Sequence, residues 1–391
     1  MRHSSRSDVD PFIVMDVMEA ARRAEATGTH VIHMEVGQPG TGAPKAAREM
    51  LATGMTEAPL GYTVALGLPE LRAGIAGLYR EWYGLELDPD RIIVTAGASG
   101  AFLLAFTALF DAGEAVGLGA PGYPSYRQIL RALSLRPVSL PTGPETRYQP
   151  IPSQIGAELA GLILASPANP TGTMLTTSDL RGLSDAAAAH GTALISDEIY
   201  HGLHYTGRAV SALEVTDDVY VLNSFSKYFS MTGWRLGWMV VPDAHIRRVE
   251  RLAQNMFICA PHASQVAALG ALSPEGRAEL DGHLAVYAQN RTHLIAALAE
   301  VGLTRLAPAD GAFYLYIDVS DYTDDSLAFA DEILRKAGVA VTPGLDFDAE
   351  RGGRFLRLSY ARSSADIAEG AARLQAFFRA QPRLSAQAKE A

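Results

Sequence analysis

Leu162-Ile-Leu-Ala-Ser-Pro-Ala-Asn-Pro-Thr-Gly172 reads as an unbroken apolar run followed by a polar, proline-interrupted loop. The same pattern recurs through the middle of the chain. Arg91-Ile-Ile-Val-Thr95, Ala115-Val-Gly-Leu118, Pro137-Val-Ser-Leu140, Ala193-Leu-Ile-Ser196, Val219-Tyr-Val-Leu222 and Leu236-Gly-Trp-Met-Val-Val241 are short β-rich runs. Helix-length stretches such as 98–110, 125–132 and 177–190 separate most of them. A strand with one wet face alternates apolar and polar residues, whereas a continuously apolar strand is buried on both faces. Seven such runs alternating with helices predict an α/β fold: a mainly parallel seven-stranded sheet flanked by helices. Ligands of such sheets bind beyond the carboxyl ends of the strands. The segments found there are Gly97-Ala-Ser-Gly100, Pro121-Gly-Tyr-Pro124, Ser166–Gly172, Asp197-Glu-Ile-Tyr200 and Ser224-Phe-Ser-Lys227, all polar or rich in Gly and Pro. A common crevice is expected.

The two ends differ from the middle. Residues 9–26 have an amphipathic helical pattern and 30–36 an extended one. Beyond about residue 290, helix and strand signals mix, at 292–301, 313–319, 327–337, 355–360 and 367–378. The expected division is a large domain over 45–288 and a smaller α+β domain built from 8–44 and 289–381, with 1–7 and 382–391 flexible. Forty-three acidic against 33 basic residues give a net charge of −10, which argues against a nucleic-acid surface. A single cysteine, Cys259, excludes an internal disulfide framework and a cysteine-based zinc site. The longest apolar run, 101–110, is half of the roughly 20 residues that span a bilayer. Arg2 and Arg6 have no apolar stretch behind them, unlike a secretory signal. A soluble, cytoplasmic protein of enzyme size is expected.

Only four lysines occur: Lys45, Lys227, Lys336 and Lys389. Lys389 stands in the polar tail, Lys336 on an amphipathic helical pattern, and Lys45 after a proline at the start of another helix. Lys227 is surrounded by Asn223-Ser-Phe-Ser-Lys-Tyr-Phe-Ser-Met-Thr-Gly-Trp-Arg-Leu-Gly-Trp238. An amine among apolar groups has its charged form disfavoured and becomes a nucleophile near neutral pH. A lysine snorkelling from a core helix has the same surroundings, so this window leaves both readings open.

Gly117-Leu-Gly-Ala-Pro-Gly122 matches GxGxxG after a strand, but a dinucleotide site must open into a helix. Pro121 and Pro124 each remove a backbone donor where that helix would begin. Glu198, His201 and His204 have near-helical spacing but no fourth ligand, and no metal is expected there. The remaining loops combine better. The free amides of Gly97-Ala-Ser-Gly100, between strand and helix, suit a phosphate, as do the Ser224 hydroxyl and the Arg235 guanidinium on either side of Lys227. Asp197 closes an apolar strand and needs a cationic partner if buried. Tyr200, three residues on, shares its face if the chain turns helically. A nucleophilic lysine, a phosphate cradle and a carboxylate seeking a cation together match pyridoxal 5'-phosphate.

These residues make the chain resemble the pyridoxal-phosphate-dependent aminotransferases of class I/II, with the aspartate aminotransferase fold (fold type I). The resemblance runs from Val36-Gly-Gln-Pro39 to Arg357-Leu-Ser359, and its core is Asn169-Pro-Thr-Gly172, Asp197-x-x-Tyr200, Ser224-x-Ser-Lys227 and Arg235. It implies that Lys227 holds the cofactor as a Schiff base and shuttles the substrate proton, and that Asp197 keeps the pyridine nitrogen protonated. Asn169 and Tyr200 would hydrogen-bond the ring oxygen, and Tyr123 would stack on the ring. Ala98, Ser99, Ser224, Ser226 and Arg235 would bind the phosphate. Arg357, with the Gly37 backbone, would clamp the substrate α-carboxylate; Arg351, Arg354 and Arg362 compete for that part. Tyr62 resembles the tyrosine that reaches the phosphate of a neighbouring subunit, implying a homodimer with a shared site, although it also fits an ordinary turn. Leu345-Asp-Phe-Asp348 departs from the family, which often has Phe-Gly there. The implied activity is transfer of an amino group between an L-amino acid and a 2-oxo acid by a ping-pong mechanism. A β- or γ-lyase on the same scaffold is the alternative, and a non-enzymatic effector domain a more distant one. Phe12, Ile13 and Tyr62 are candidates for the side-chain pocket, but the sequence does not choose the amino donor.

Overall fold

The computed structural model describes residues 2–384; Met1 and the tail 385–391, with Lys389, lie outside the described residues. A short strand β1 (Ile32–His33) precedes seven that form one sheet: β2 (Ile92–Thr95), β3 (Ala115–Ala120), β4 (Arg136–Pro141), β5 (Gly161–Ala165), β6 (Ala193–Asp197), β7 (Tyr220–Ser224) and β8 (Gly237–Val240). Their order is β2-β8-β7-β6-β5-β3-β4, and only β8 runs against its neighbours. The expected mainly parallel sheet is therefore present, with the carboxyl ends of β2 to β7 on one edge.

Side chains of successive residues point to opposite faces of a strand. Ile163 and Ile195 accordingly pack into one apolar cluster, while Leu162, Leu164 and Leu194 pack into another. Burial on both faces is why the runs are continuously apolar. The flanking helices include Gly97–Leu109, Pro124–Ala132 and Thr177–His190, the last with the bounds read from sequence.

Four further strands follow: β9 (Tyr314–Asp318), β10 (Val339–Ala340), β11 (Thr342–Pro343) and β12 (Phe355–Ser359). They form a small antiparallel sheet, β11-β12-β9, and a two-residue parallel pairing of β1 with β10. The extended pattern at 30–36 thus shrinks to β1, and the rest runs as loop toward the large sheet. A single 26-residue helix, Pro274–Ala299, crosses residue 288.

The N-terminal helix spans Ile13–Ala26 rather than starting at residue 9. Pro11 explains the shift, because a proline pushes the preceding residue out of the helical region. Phe12 stands at the cap position and offers no side-chain acceptor. Asp346 replaces it from across the fold, accepting from the amides of Ile13 at 3.1 Å and Val14 at 3.4 Å. Arg127 fixes that loop by donating to the carbonyls of Asp346 and Phe347. The Leu345–Asp348 departure is therefore an anchor for the N-terminal helix. Asp346→Ala should cost about 1 kcal/mol, the usual worth of a helix cap, and Asp346→Asn should cost less. Urea unfolding of the two variants checks this, and an unchanged midpoint for Ala would contradict it.

Candidate active site

The carboxyl edge of the large sheet opens on one cavity, whose remaining wall comes from the N-terminal helix, the loop after β1, β9 and β12. Each strand end delivers what its loop encodes. Ala98 and Ser99 lie in the first turn of the helix after β2, Tyr123 follows β3, Asn169 follows β5, Asp197 ends β6 with Tyr200 beyond it, and Ser226 and Lys227 follow β7. Arg235 precedes β8, Gly37 follows β1, and Arg357 projects from β12. The structure thus brings together every cofactor- and carboxylate-binding residue singled out from sequence except two. Ser224 sits behind the wall, fully buried, its hydroxyl 2.8 Å from that of Ser226 and 3.1 Å from the Leu236 carbonyl. Tyr62 is 83% exposed and does not line this cavity. Phe12 lines it as expected, whereas Ile13 does not.

Lys227 Nζ donates to the Gly37 carbonyl at 2.6 Å. Burial, then the nearby Arg357 and Arg235, lower its pKa to about 8, so roughly a tenth of the amine is free base at pH 7, far more than for an ordinary lysine. Asp197 is also enclosed. Tyr126 donates to one of its oxygens and the Ile199 amide to the other at 3.1 Å. Burial still outweighs these bonds and raises the carboxyl to about 6. Among the described residues no arginine or lysine bonds this carboxylate, so the cavity holds an acid placed to meet a cation.

Arg357 is equally built in. It donates to Asn169 Oδ1 at 3.0 Å, to Thr342 Oγ1 at 3.1 Å and to the Glu35 carbonyl, and lies over the rings of Tyr314 and Phe347. Its Nε is buried without a partner among the described residues. A buried donor left unpaired is costly unless a ligand completes it, and a carboxylate does so with the geometry guanidinium prefers. At the other end, a Cβ on Gly97 would come within 2.6 Å of the Arg235 guanidinium, and one on Gly237 within 3.0 Å of the Ala98 amide. Only glycine leaves that cradle open at the helix terminus, where amides and the helix dipole favour an anion.

Two contributors carried no sequence signal strong enough to be singled out. Tyr126 lies one turn beyond Tyr123, and helical spacing alone could have suggested it. Tyr314 comes from a distant strand, and nothing local ties it to the site. Val14, Met15 and Met18 line the cavity with Phe12 because the N-terminal helix folds across it. Glu198 and His201, weighed as metal ligands, are occupied otherwise. Glu198 accepts from Ser196, Ser211 and the Ala212 amide, and His201 bridges the Tyr83 hydroxyl and the Ser166 carbonyl.

A depressed lysine, a buried acid, an anion cradle and an orphaned guanidinium in one crevice of a doubly wound sheet define a pyridoxal-phosphate site, and these residues fit that cofactor. The chain belongs to the family described as Aminotransferase class I and II, whose pattern matches residues 29–374. The valine–pyruvate aminotransferase of Mycobacterium tuberculosis is 48% identical over 95% of this chain and 97% of its own length. A crystal structure of an aminotransferase from that organism superposes with a TM-score of 0.95 at 47% identity, covering 97% of this chain and all of that one. A crystal structure of a putative aminotransferase from Silicibacter pomeroyi is 64% identical, with a TM-score of 0.93 and the same coverage. The protein is therefore a pyridoxal-phosphate-dependent transaminase, moving an amino group between amino and 2-oxo acids.

Asp197 supplies a test that needs no cofactor. Its folded pKa, about 6, is above the ordinary carboxyl value of 3.8. The unfolded carboxyl thus ionises first, and its contribution to stability is lost as pH rises from about 4 to 6. Asp197→Asn removes that loss. The cofactor-free variant should match the wild type near pH 4 and exceed it by on the order of 3 kcal/mol at pH 7, read by thermal or urea unfolding. A variant less stable than wild type at pH 7 would contradict the assignment of an uncompensated buried acid.

Proposed function

We propose that this transaminase takes a small aliphatic L-amino acid of the valine type as donor and a short 2-oxo acid such as pyruvate as acceptor. The carrying observation is the apolar lining of Phe12, Val14, Met15 and Met18 in a cavity whose cations all have other work. Lys227, Arg235 and Arg357 are the lysine and arginines lining the cavity among the described residues. With Arg235 on the phosphate and Arg357 on the α-carboxylate, no guanidinium among the described residues of this protomer faces a second carboxylate. The substrates named for the 48%-identical relative support the same reading.

In this reading the cofactor, when bound, supplies a carbonyl to carry the amino group and a ring that draws electrons from the substrate α-carbon. Asp197 would hold the proton on the ring nitrogen. Tyr200 and Asn169 donate to the ring oxygen, and Tyr123 packs against the ring. Ala98, Ser99, Ser226 and Arg235 hold the phosphate, with Ser224 fixing Ser226 from behind. Arg357 orients the α-carboxylate through its unpaired Nε, and the Lys227 amine moves the α-proton. The Gly37 carbonyl is the acceptor that holds this amine while it is free.

We further assign the chain to a homodimer of the cytoplasm. Tyr62, exposed on a loop tied down by the Gly61 carbonyl to His262 and by Thr63 to Gln265, would complete the phosphate site of the neighbouring subunit. Val64, two residues on from Tyr62, is an exposed apolar side chain as well, and a subunit contact at this loop would cover it. Within each subunit, 45–288 would act as the cofactor-bearing lobe and 8–44 with 289–381 as the lobe carrying Arg357.

Half-reactions with single amino acids test the substrate reading. Valine and alanine should exceed aspartate and glutamate in kcat/KM by about a hundredfold, because a carboxylate set against an apolar wall loses its hydration unpaired. Preference for aspartate would overturn it, and steady release of ammonia would point to lyase chemistry instead.

A further inference from the structure

Tyr314 opens β9 and touches both halves of the cavity. Its hydroxyl lies 2.7 Å from that of Tyr200, and the Arg357 guanidinium sits 4.4 Å from its ring centroid. A Cβ on Gly37 would run into the same hydroxyl, so the loop whose carbonyl holds Lys227 is seated on this phenol as well. Tyr314 is fully enclosed and lines the cavity wall.

We propose that Tyr314 is a positioning residue that fixes the Tyr200 hydroxyl and the Arg357 guanidinium relative to each other, holding the carboxylate clamp in register with the cofactor ring. The inference rests on the parts given above to Tyr200 and Arg357. A phenol has one proton to donate and lone pairs to accept with. When Tyr200 donates into the cavity, the partner at 2.7 Å must donate to Tyr200, and each bond in such a chain strengthens the next. Burial raises the pKa of both phenols, which keeps both protonated at neutral pH. The ring of Tyr314 acts separately, since a guanidinium over an aromatic face is held there by the ring quadrupole. One residue thus carries two separable functions, the oxygen for Tyr200 and the ring for Arg357.

Two substitutions separate them. Tyr314→Phe removes the oxygen and keeps the ring. Its kcat should fall about tenfold, the size of one hydrogen bond, while KM for the amino donor stays within about twofold. The pH midpoint of the bound cofactor's visible absorbance should also rise, because a weakened Tyr200 donates less to the ionised ring oxygen. Tyr314→Leu removes the ring too and should add a roughly tenfold rise in KM. Tyr200→Phe is the control, and the double variant Tyr200→Phe/Tyr314→Phe should show no more than Tyr200→Phe alone. If Tyr200→Phe shifts the midpoint but Tyr314→Phe does not, the proposal is wrong and the part of Tyr200 stands. If Tyr200→Phe leaves the midpoint unchanged, the underlying reading fails and takes the proposal with it. An unchanged KM in Tyr314→Leu would overturn the link to Arg357. Unfolding of the cofactor-free variants tells whether Leu disturbs the fold, in which case Phe, which loses no ring volume, carries the comparison.

Discussion

Desolvation of one amine and one carboxylate at the same sheet edge is the constraint from which the rest of the molecule follows. Lys227 and Asp197 are both enclosed, and burial disfavours the charged form of each, lowering the one to about 8 and raising the other to about 6. Among the described residues neither is relieved by an ion pair with a hydrogen-bonded partner: the amine donates to a carbonyl and the acid accepts from a phenol and an amide. A fold that leaves two such groups facing a cavity is held in a state that a ligand with an aldehyde and a pyridinium would relax.

The large sheet makes that arrangement possible. Six of its strands run in one direction, so their loops converge, while β8 runs back and brings Arg235 to the same edge. The small sheet supplies the opposing face through Arg357, whose bonds to Asn169 and the Glu35 carbonyl tie β12 to the loop after β5 and to the segment after β1. The N-terminal helix closes the apolar side and is itself held by Asp346, beside the Phe347 ring that lies against Arg357. Substrate chemistry and the joining of the two sheets therefore share residues.

Legibility in the sequence follows the range of the interaction. Strands buried on both faces announce themselves by unbroken apolar runs, and the loops after them are contiguous with them. Asn169, Asp197, Tyr200 and Lys227 therefore stand out in the amino-acid sequence itself. Tyr314, Met15 and Met18 reach the cavity only through tertiary packing, which leaves no local mark. Asp346 shows the same limit, since a cap supplied from more than 300 residues away cannot be read as a cap. Where local chemistry misled, it did so through Pro11, which delays the N-terminal helix to Ile13 although the amphipathic pattern starts earlier. Tyr62 belongs to neither group: it is exposed and lies outside the cavity, and the part proposed for it needs a second subunit.

Reduction of the holoenzyme with borohydride, followed by proteolysis and mass spectrometry, tests the central claim most directly. The pyridoxyl label should sit on the peptide carrying Lys227 and be absent from those carrying Lys45 and Lys336. Label on either of the latter, or none on any lysine of a yellow, active protein, would contradict the account.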